Sequence, residues 1–345
     1  MKKKRFILVY VVVALCYAGI NHVQKNHAQN KISEAKKLFL EANLSLSEKR
    51  FADSHGIAEK LITDYAGDYQ ISLYLRLYAN TFYFLDEDFQ KGMLRPTPPG
   101  IQKRIEELKA KKDKTVIDLV TLAWIANGPG GDFSTEYLEG IIKRFPNSVW
   151  ADWAETELEF AKIPGRGTIT EERSAAFYEF CTNFMKTHPN THLTPRLLCI
   201  TANSRRRMSE DKMAKDEAVR TCHRILQDYP DAEYECAEAR RILRELLGDN
   251  YKEAPGCSAE RDRIITQFYC VSPEPDKQQK WTTRYIQMKE ESQTEQEKES
   301  AKSDSPVATG TGLPAAAYAA ITIVAVTLGA GLILLLKKKA TSRGK

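Results

Sequence analysis

The chain has 345 residues, 42% of them hydrophobic and 28% charged, enough for one or two cored domains and too apolar for wholesale disorder. Its formal charge is +5, but nine positives sit in two acid-free tails, Lys2–Arg5 and Lys337–Lys345, and taking those nine from +5 leaves the body at −4. A mildly acidic body repels phosphates, which argues against a nucleic-acid partner gripped by clustered Lys and Arg.

Residues 1–20 read as an export signal: the charged stretch Lys2–Arg5, an apolar run from Phe6 to Cys16, then the small residues Ala18 and Gly19. Cleavage after Ala18 is one outcome; retention as a signal anchor from Phe6 to Ile20 is the other. Leu15 precedes Cys16 where a lipoprotein signal carries a small residue, so lipidation is not expected.

From residue 33 to 251 the chain shows amphipathic helices joined by short turns. Four turns share a local pattern, Asp64-Tyr65-Ala66-Gly67, Arg144-Phe145-Pro146-Asn147, Thr187-His188-Pro189-Asn190 and Asp228-Tyr229-Pro230-Asp231. Proline lacks a backbone donor and restricts the residue before it, so it ends the first helix, while Asn or Asp favours the turn. Pro146, Pro189 and Pro230 lie 43 and 41 residues apart, and Ala66 lies 80 before Pro146. A period near 40 with two helices per unit predicts an all-α fold, an α-solenoid of stacked hairpins, with one degenerate unit around Pro96–Ala123. The flanking stripes fit: Leu138, Ile141, Ile142 and Phe145; then Trp150, Trp153, Ala154 and Ala161; later Phe177, Cys181, Phe184 and Met185; then Ala218, Cys222, Ile225 and Tyr229; finally Cys236, Ala239, Leu243 and Leu246. Gly248 supplies a helix stop.

Beyond the hairpins come a cysteine-bearing segment over 252–272 and a polar linker over 273–313, with Glu291, Glu295, Glu297 and Glu299 among Gln, Lys and Ser. Such a composition buries too little apolar area to offset ordering, so a tether is expected, helical in part near Trp281–Met288. Segment 314–336 contains no charge from Ala315 to Leu336 and meets the ~20 residues that cross a bilayer. The basic tail 337–345 begins with Lys337-Lys338-Lys339, which belongs on the cytoplasmic side and puts the bulk of the chain outside it. Within the span, Ala325 with Gly329 and Thr327 with Gly331 have the four-residue spacing of small residues that permits homo-oligomerisation.

The first hairpin, with Leu38, Ala42, Phe51, Ser54 and Ala66 at small, aromatic, small and terminal-turn positions, resembles a tetratricopeptide repeat. The units at Phe145-Pro146-Asn147-Ser148 and Tyr229-Pro230-Asp231-Ala232 resemble the repeats of outer-membrane assembly lipoproteins and periplasmic cell-division coordinators. The resemblance covers roughly residues 33–248. It implies a bacterial cell-envelope protein, extracytoplasmic in its bulk, that binds other proteins or peptides and is no enzyme. Tyr74, Tyr78, Trp124 and Trp150 are the expected partner-binding anchors.

Six cysteines lie beyond the signal. Cys181 and Cys199 flank Pro189, and Cys222 and Cys236 flank Pro230, on opposite arms of predicted hairpins. Disulfides 181–199, 222–236 and 257–270 are therefore expected in an oxidising compartment, each stabilising by ~3 kcal/mol, against the alternative of free buried thiols. The alternative function is a redox or zinc-dependent envelope enzyme: Cys181, His188, His192 and Cys199 have a zinc-compatible composition, although two of them flank a turn. No metal or cofactor is expected on the leading reading. Cys222 and His223 point ~100° apart on a helix and form no dyad. The glycine-rich Asn127–Asp132 lacks the Lys-Ser/Thr pair of a phosphate loop, and Arg205-Arg206-Arg207 reads as a solvated charge run.

Overall fold

The structure, a computed structural model, describes residues 34–90, 97–126, 133–163, 170–208, 212–272 and 274–303, with side chains described through Thr294. The signal or anchor 1–20, the apolar segment 314–336 with Ala325, Thr327, Gly329 and Gly331, the tail 337–345 and the glycine-rich loop all lie outside these residues. The described residues contain helices and no strand, and none of those helices is long and apolar enough to cross a membrane. They divide into two units, the first ending at Glu290 and the second starting at Glu291; the described part of the second is the end of one helix.

Helix α1 covers 34–47, followed by α2 (Phe51–Asp64), α3 (Ile71–Phe84) and a single turn, α4 (Glu87–Gln90). Then come α5 (Pro99–Ala110), α6 (Val116–Ile125), α7 (Thr135–Arg144), α8 (Val149–Lys162), α9 (Glu171–Thr187), α10 (Thr194–Arg207), α11 (Lys212–Asp228) and α12 (Glu233–Leu247). The last two are α13 (Ala259–Tyr269) and α14 (Pro275–Ser303). Neighbouring helices pack in pairs, α2 with α3, α5 with α6, α7 with α8, α9 with α10 and α11 with α12. All four turn motifs fall between the arms of such pairs, and in three of them a proline, at 146, 189 or 230, marks the reversal. Local chemistry starts the helices: Thr115 and Asp118 form a reciprocal capping box on α6, and Ser148, Thr170 and Ser258 accept from the third backbone N–H beyond them on α8, α9 and α13. Gly248, at φ +51°, ends α12 in a conformation other residues rarely adopt.

The predicted stripes are the core. Leu138, Ile141, Trp153, Ala154, Phe184, Ala218, Ile225, Ala239 and Leu243 are buried, whereas Ala161 is exposed near the end of α8. Buried Ala positions let facing helices approach closely, and burying a large apolar side chain stabilises by about 1.5–3 kcal/mol.

The segment after α12 departs from expectation. Residues 275–290 are a packed helix and not a tether: Gln278, Thr282, Tyr285 and Met288 recur at helical spacing and are buried. Tyr285 stacks on Phe268 with centroids 4.0 Å apart, and Phe39 of α1 meets Phe268 at 5.5 Å and Tyr269 at 5.2 Å. Gln278, fully buried, donates to Asn43 Oδ1 at 2.8 Å and to the Phe268 carbonyl at 3.1 Å, and accepts from the Ser272 amide at 2.7 Å. The segment 252–272 is likewise docked, with Arg240 and Arg244 of α12 donating to buried Asp262 of α13 at 2.6 and 2.5 Å. The C-terminal helices of this unit thus lie against the first one.

Glu233, near the start of α12, joins these pieces. Its carboxylate accepts from Lys289 at 2.9 Å, from Tyr285 Oη at 2.7 Å and from Tyr269 Oη at 3.3 Å, with Lys36 of α1 at 3.5 Å. Burial alone would raise its pKa, but Lys289, Lys36 and these hydrogen bonds outweigh burial and hold it at about 2.

Two predictions follow from this packing. Glu233→Gln is expected to lower unfolding free energy by about 2 kcal/mol in denaturant titrations, whereas Glu245→Gln, at an exposed carboxylate of α12 paired with Arg206 and Arg241, costs less than ~0.5 kcal/mol; equal losses would show that the closure contributes nothing. Burial also lowers His55, stacked on Tyr78, and His192 to about 4, so both are neutral when folded. Their contribution is complete above the ordinary histidine pKa of about 6.5 and is lost as pH falls from there through 4, by roughly 2–3 kcal/mol each. Denaturant midpoints should therefore drop over that window, and the double variant His55→Gln/His192→Gln should flatten the drop.

Candidate functional site

The second helix of each hairpin faces inward. Side chains of α3, α6, α8, α10 and α12, with Phe133 just before α7, line a cavity of about 440 Å³. Its apolar wall is Leu73 with four aromatics, Tyr69, Trp124, Phe133 and Tyr234; Trp124 and Phe133 meet edge-on at 4.8 Å. Its polar groups are Ser72, Arg76, Glu157, Arg196 and Glu235.

Arg196 is the organising cation. Its Nη1 donates to Glu157 Oε1 at 2.7 Å and to Ser72 Oγ at 2.8 Å, tying α10 to α8 and α3. Glu157 is 6% exposed and the pair is largely out of water, so removing either member would strand the other's charge. Glu235 is 3% exposed, and its Oε2 has no hydrogen-bond partner among the described residues. Burial, reinforced by Asp68 and Glu238, outweighs the hydrogen bond from its own backbone amide and the pull of Arg196 and raises it to about 8, which favours the neutral acid at pH 7. Arg76 is exposed at the cavity edge, with Nη1 3.4 Å from the Cys270 carbonyl.

Arg196 also lines a second cavity, of about 460 Å³, with Phe160, Arg173, Phe177, Ile200, Asn203, Ser204 and Arg207. Its charged lining is entirely cationic. An open groove of about 540 Å³ between α8 and α9 has the opposite character, with Glu155, Glu159 and Glu179 against Lys162.

Of the four expected anchors, Trp124 alone reaches this cavity. Tyr74 is fully buried against Phe39, and Trp150 is 4% exposed against Trp153. Tyr78 is 7% exposed, stacked on His55, its Oη accepting from Thr121 at 3.3 Å. These three are core residues, because large aromatics at the helical period supply the apolar area between stacked hairpins. Sequence reasoning missed Arg76, Glu157, Arg196, Tyr234 and Glu235; the one available signal was an acid, Glu235, beside the apolar stripe of α12.

The cysteines also depart from expectation. All six, Cys181, Cys199, Cys222, Cys236, Cys257 and Cys270, are free, so the bridges 181–199, 222–236 and 257–270 are not present. Opposite arms of a hairpin do not by themselves turn two side chains toward each other. Cys222 and Cys236 are both buried in one apolar cluster, and the Cys236 thiol donates instead to the Tyr229 carbonyl at 3.3 Å. Burial pushes Cys181, Cys222 and Cys236 up to about 12 and Cys199 well above its ordinary value, which suppresses the thiolate. Cys181, His188, His192 and Cys199 form no metal-binding group, and no set of three or more His, Cys, Asp or Glu does so among the described residues. His188 instead stacks on Phe184 at 4.1 Å, with Glu155 at 3.8 Å.

Alkylation of the purified full chain in denaturant without reductant should label all six of these cysteines by mass spectrometry; unlabelled, disulfide-linked peptides would restore the bridged arrangement. Comparison of the chain with protein-family models, curated proteins and solved structures found no match.

Proposed function

We propose that this chain is a membrane-anchored scaffold of the cell envelope, tetratricopeptide-like in its repeats, whose inner cavity receives a segment of another protein. The observation that carries the reading is the convergence of five second helices on one cavity with aromatic walls and a few placed polar groups. Repeat stacks bind in this way because each unit adds side chains to a shared inner surface while its own core stays intact. The exposed large hydrophobics among the described residues are Val149 and Met213, so the inner cavity offers more recognisable chemistry than the outer surface. Segment 314–336 supplies the anchor, and its basic flank sets the body on the extracytoplasmic side.

The enzymatic alternative needs an activated thiolate or a set of metal donors, and the raised cysteines lend it less support than the cavity lends the scaffold. In cells, a photo-crosslinking phenylalanine analogue in place of Tyr69, on the aromatic wall of the cavity, should yield a defined adduct in the full-length protein, reduced at least ~fivefold by Trp124→Ala. Placement at exposed Lys252 should not yield it. Identical adducts from both positions, or adducts indifferent to Trp124→Ala, would overturn the reading.

A further inference from the structure

The charge that the inner cavity's lining does not pair within itself is one-sided, that of Arg76. The Glu157 carboxyl is already engaged by Arg196. What remains are the Arg76 guanidinium and the Trp124 indole, which only donate, the hydroxyls of Tyr69 and Tyr234, which donate or accept, and the carboxyl of Glu235, which lies almost wholly out of water and whose Oε2 has no partner among the described residues. The adjoining cavity beyond Arg196 adds arginines and no acid. This local excess of positive charge is set in a body whose net charge, without its tails, is negative.

We infer that the inner cavity recognises a carboxylate on an aromatic or apolar peptide segment, with Arg76 supplying charge and Glu235 donating a hydrogen bond to it. This deepens the scaffold reading and rests on it. A carboxylate can accept from each of these groups while Glu235 is protonated, and charge-assisted bonds in a desolvated site are the strong ones. A lysine in the same place would face Arg76 and Arg196 and would have to expel the Glu235 proton.

The pairing has a pH signature. Glu235 is faced by Asp68 from the turn before α3, Tyr74 of α3, Arg196 and Cys199 of α10, and Glu238 on its own helix, with Glu157 of α8 paired to Arg196. Tyr69, Tyr74, Tyr234 and Cys199 are all raised by burial and stay neutral well above pH 7. Glu235, at about 8, is the cavity group that changes charge near there. Only its protonated form donates, so apparent affinity follows the protonated fraction and falls roughly tenfold between pH 6.5 and pH 9.

The test uses the full-length protein in detergent micelles and ligand-observed NMR titration with three probes: N-acetyl-Phe-Glu, N-acetyl-Phe-Gln-amide and N-acetyl-Phe-Lys-amide. The acid should bind best and weaken roughly tenfold by pH 9. Arg76→Gln, an edge substitution, should weaken it about tenfold at both pH values. Glu235→Gln should keep binding, since the amide still donates, and lose the pH dependence. Preference for the lysine probe, equality of acid and amide, or a flat pH profile in the unsubstituted protein overturns the inference. If no probe binds while the Trp124-dependent crosslink persists, the carboxylate assignment falls and the scaffold stands; if the acid binds and no position-specific crosslink forms, the scaffold falls instead.

Discussion

The carboxylate of Glu233 receives two lysines and two tyrosine hydroxyls drawn from α1, α13 and α14, and the architecture of the larger unit depends on that meeting. A stack of hairpins alone contacts only its neighbours and can bend or unwind at low cost. Here residues more than 190 positions apart are joined, since Asn80 donates to the Val271 carbonyl at 3.1 Å and Gln278 donates to Asn43. Such contacts require closure of a long loop, whose entropy cost grows only slowly with its length. Once closed, the joint is reinforced by the aromatic cluster of Phe39, Phe268, Tyr269 and Tyr285 beside the charged network.

Closure gives the inner row of helices its chemistry. An open, wet surface would leave Glu235 ionised and would screen the Arg196–Glu157 pair to little effect. With α3, α8, α10 and α12 drawn around one cavity, desolvation instead neutralises Glu235 and commits Arg196 to Glu157. Stability and the chemistry of the cavity are thus coupled through burial. The same burial accounts for the neutral histidines His55 and His192 and for thiols that resist ionisation.

Much of the local structure was legible. Pro146, Pro189 and Pro230 mark the turns because a proline cannot extend the preceding helix, and the stripes through Leu138 and Ile141 or Ala218 and Cys222 mark the buried faces. The misread stretch 275–290 is instructive. Its composition is polar on average, yet Gln278, Thr282, Tyr285 and Met288 share one face, and a composition argument averages that face away. Tyr74, Tyr78 and Trp150 are buried because periodic aromatics fill the space between hairpins, whereas Trp124, packed against the same core, also lines the cavity.

The order of elements, the sites of chain reversal and the inward stripe of each helix were determined by the sequence itself, because capping, proline sterics and helical periodicity act over a turn or two of chain. Which helix of each pair faces the common cavity, and that α13 and α14 return to α1, was decided by tertiary packing. So was the chemistry of the site. Ser72, Trp124, Glu157, Arg196 and Glu235 share no local motif, and the protonation of Glu235 depends on how much water and opposing charge surround it, a property of the assembled unit that no neighbouring residue in the chain encodes.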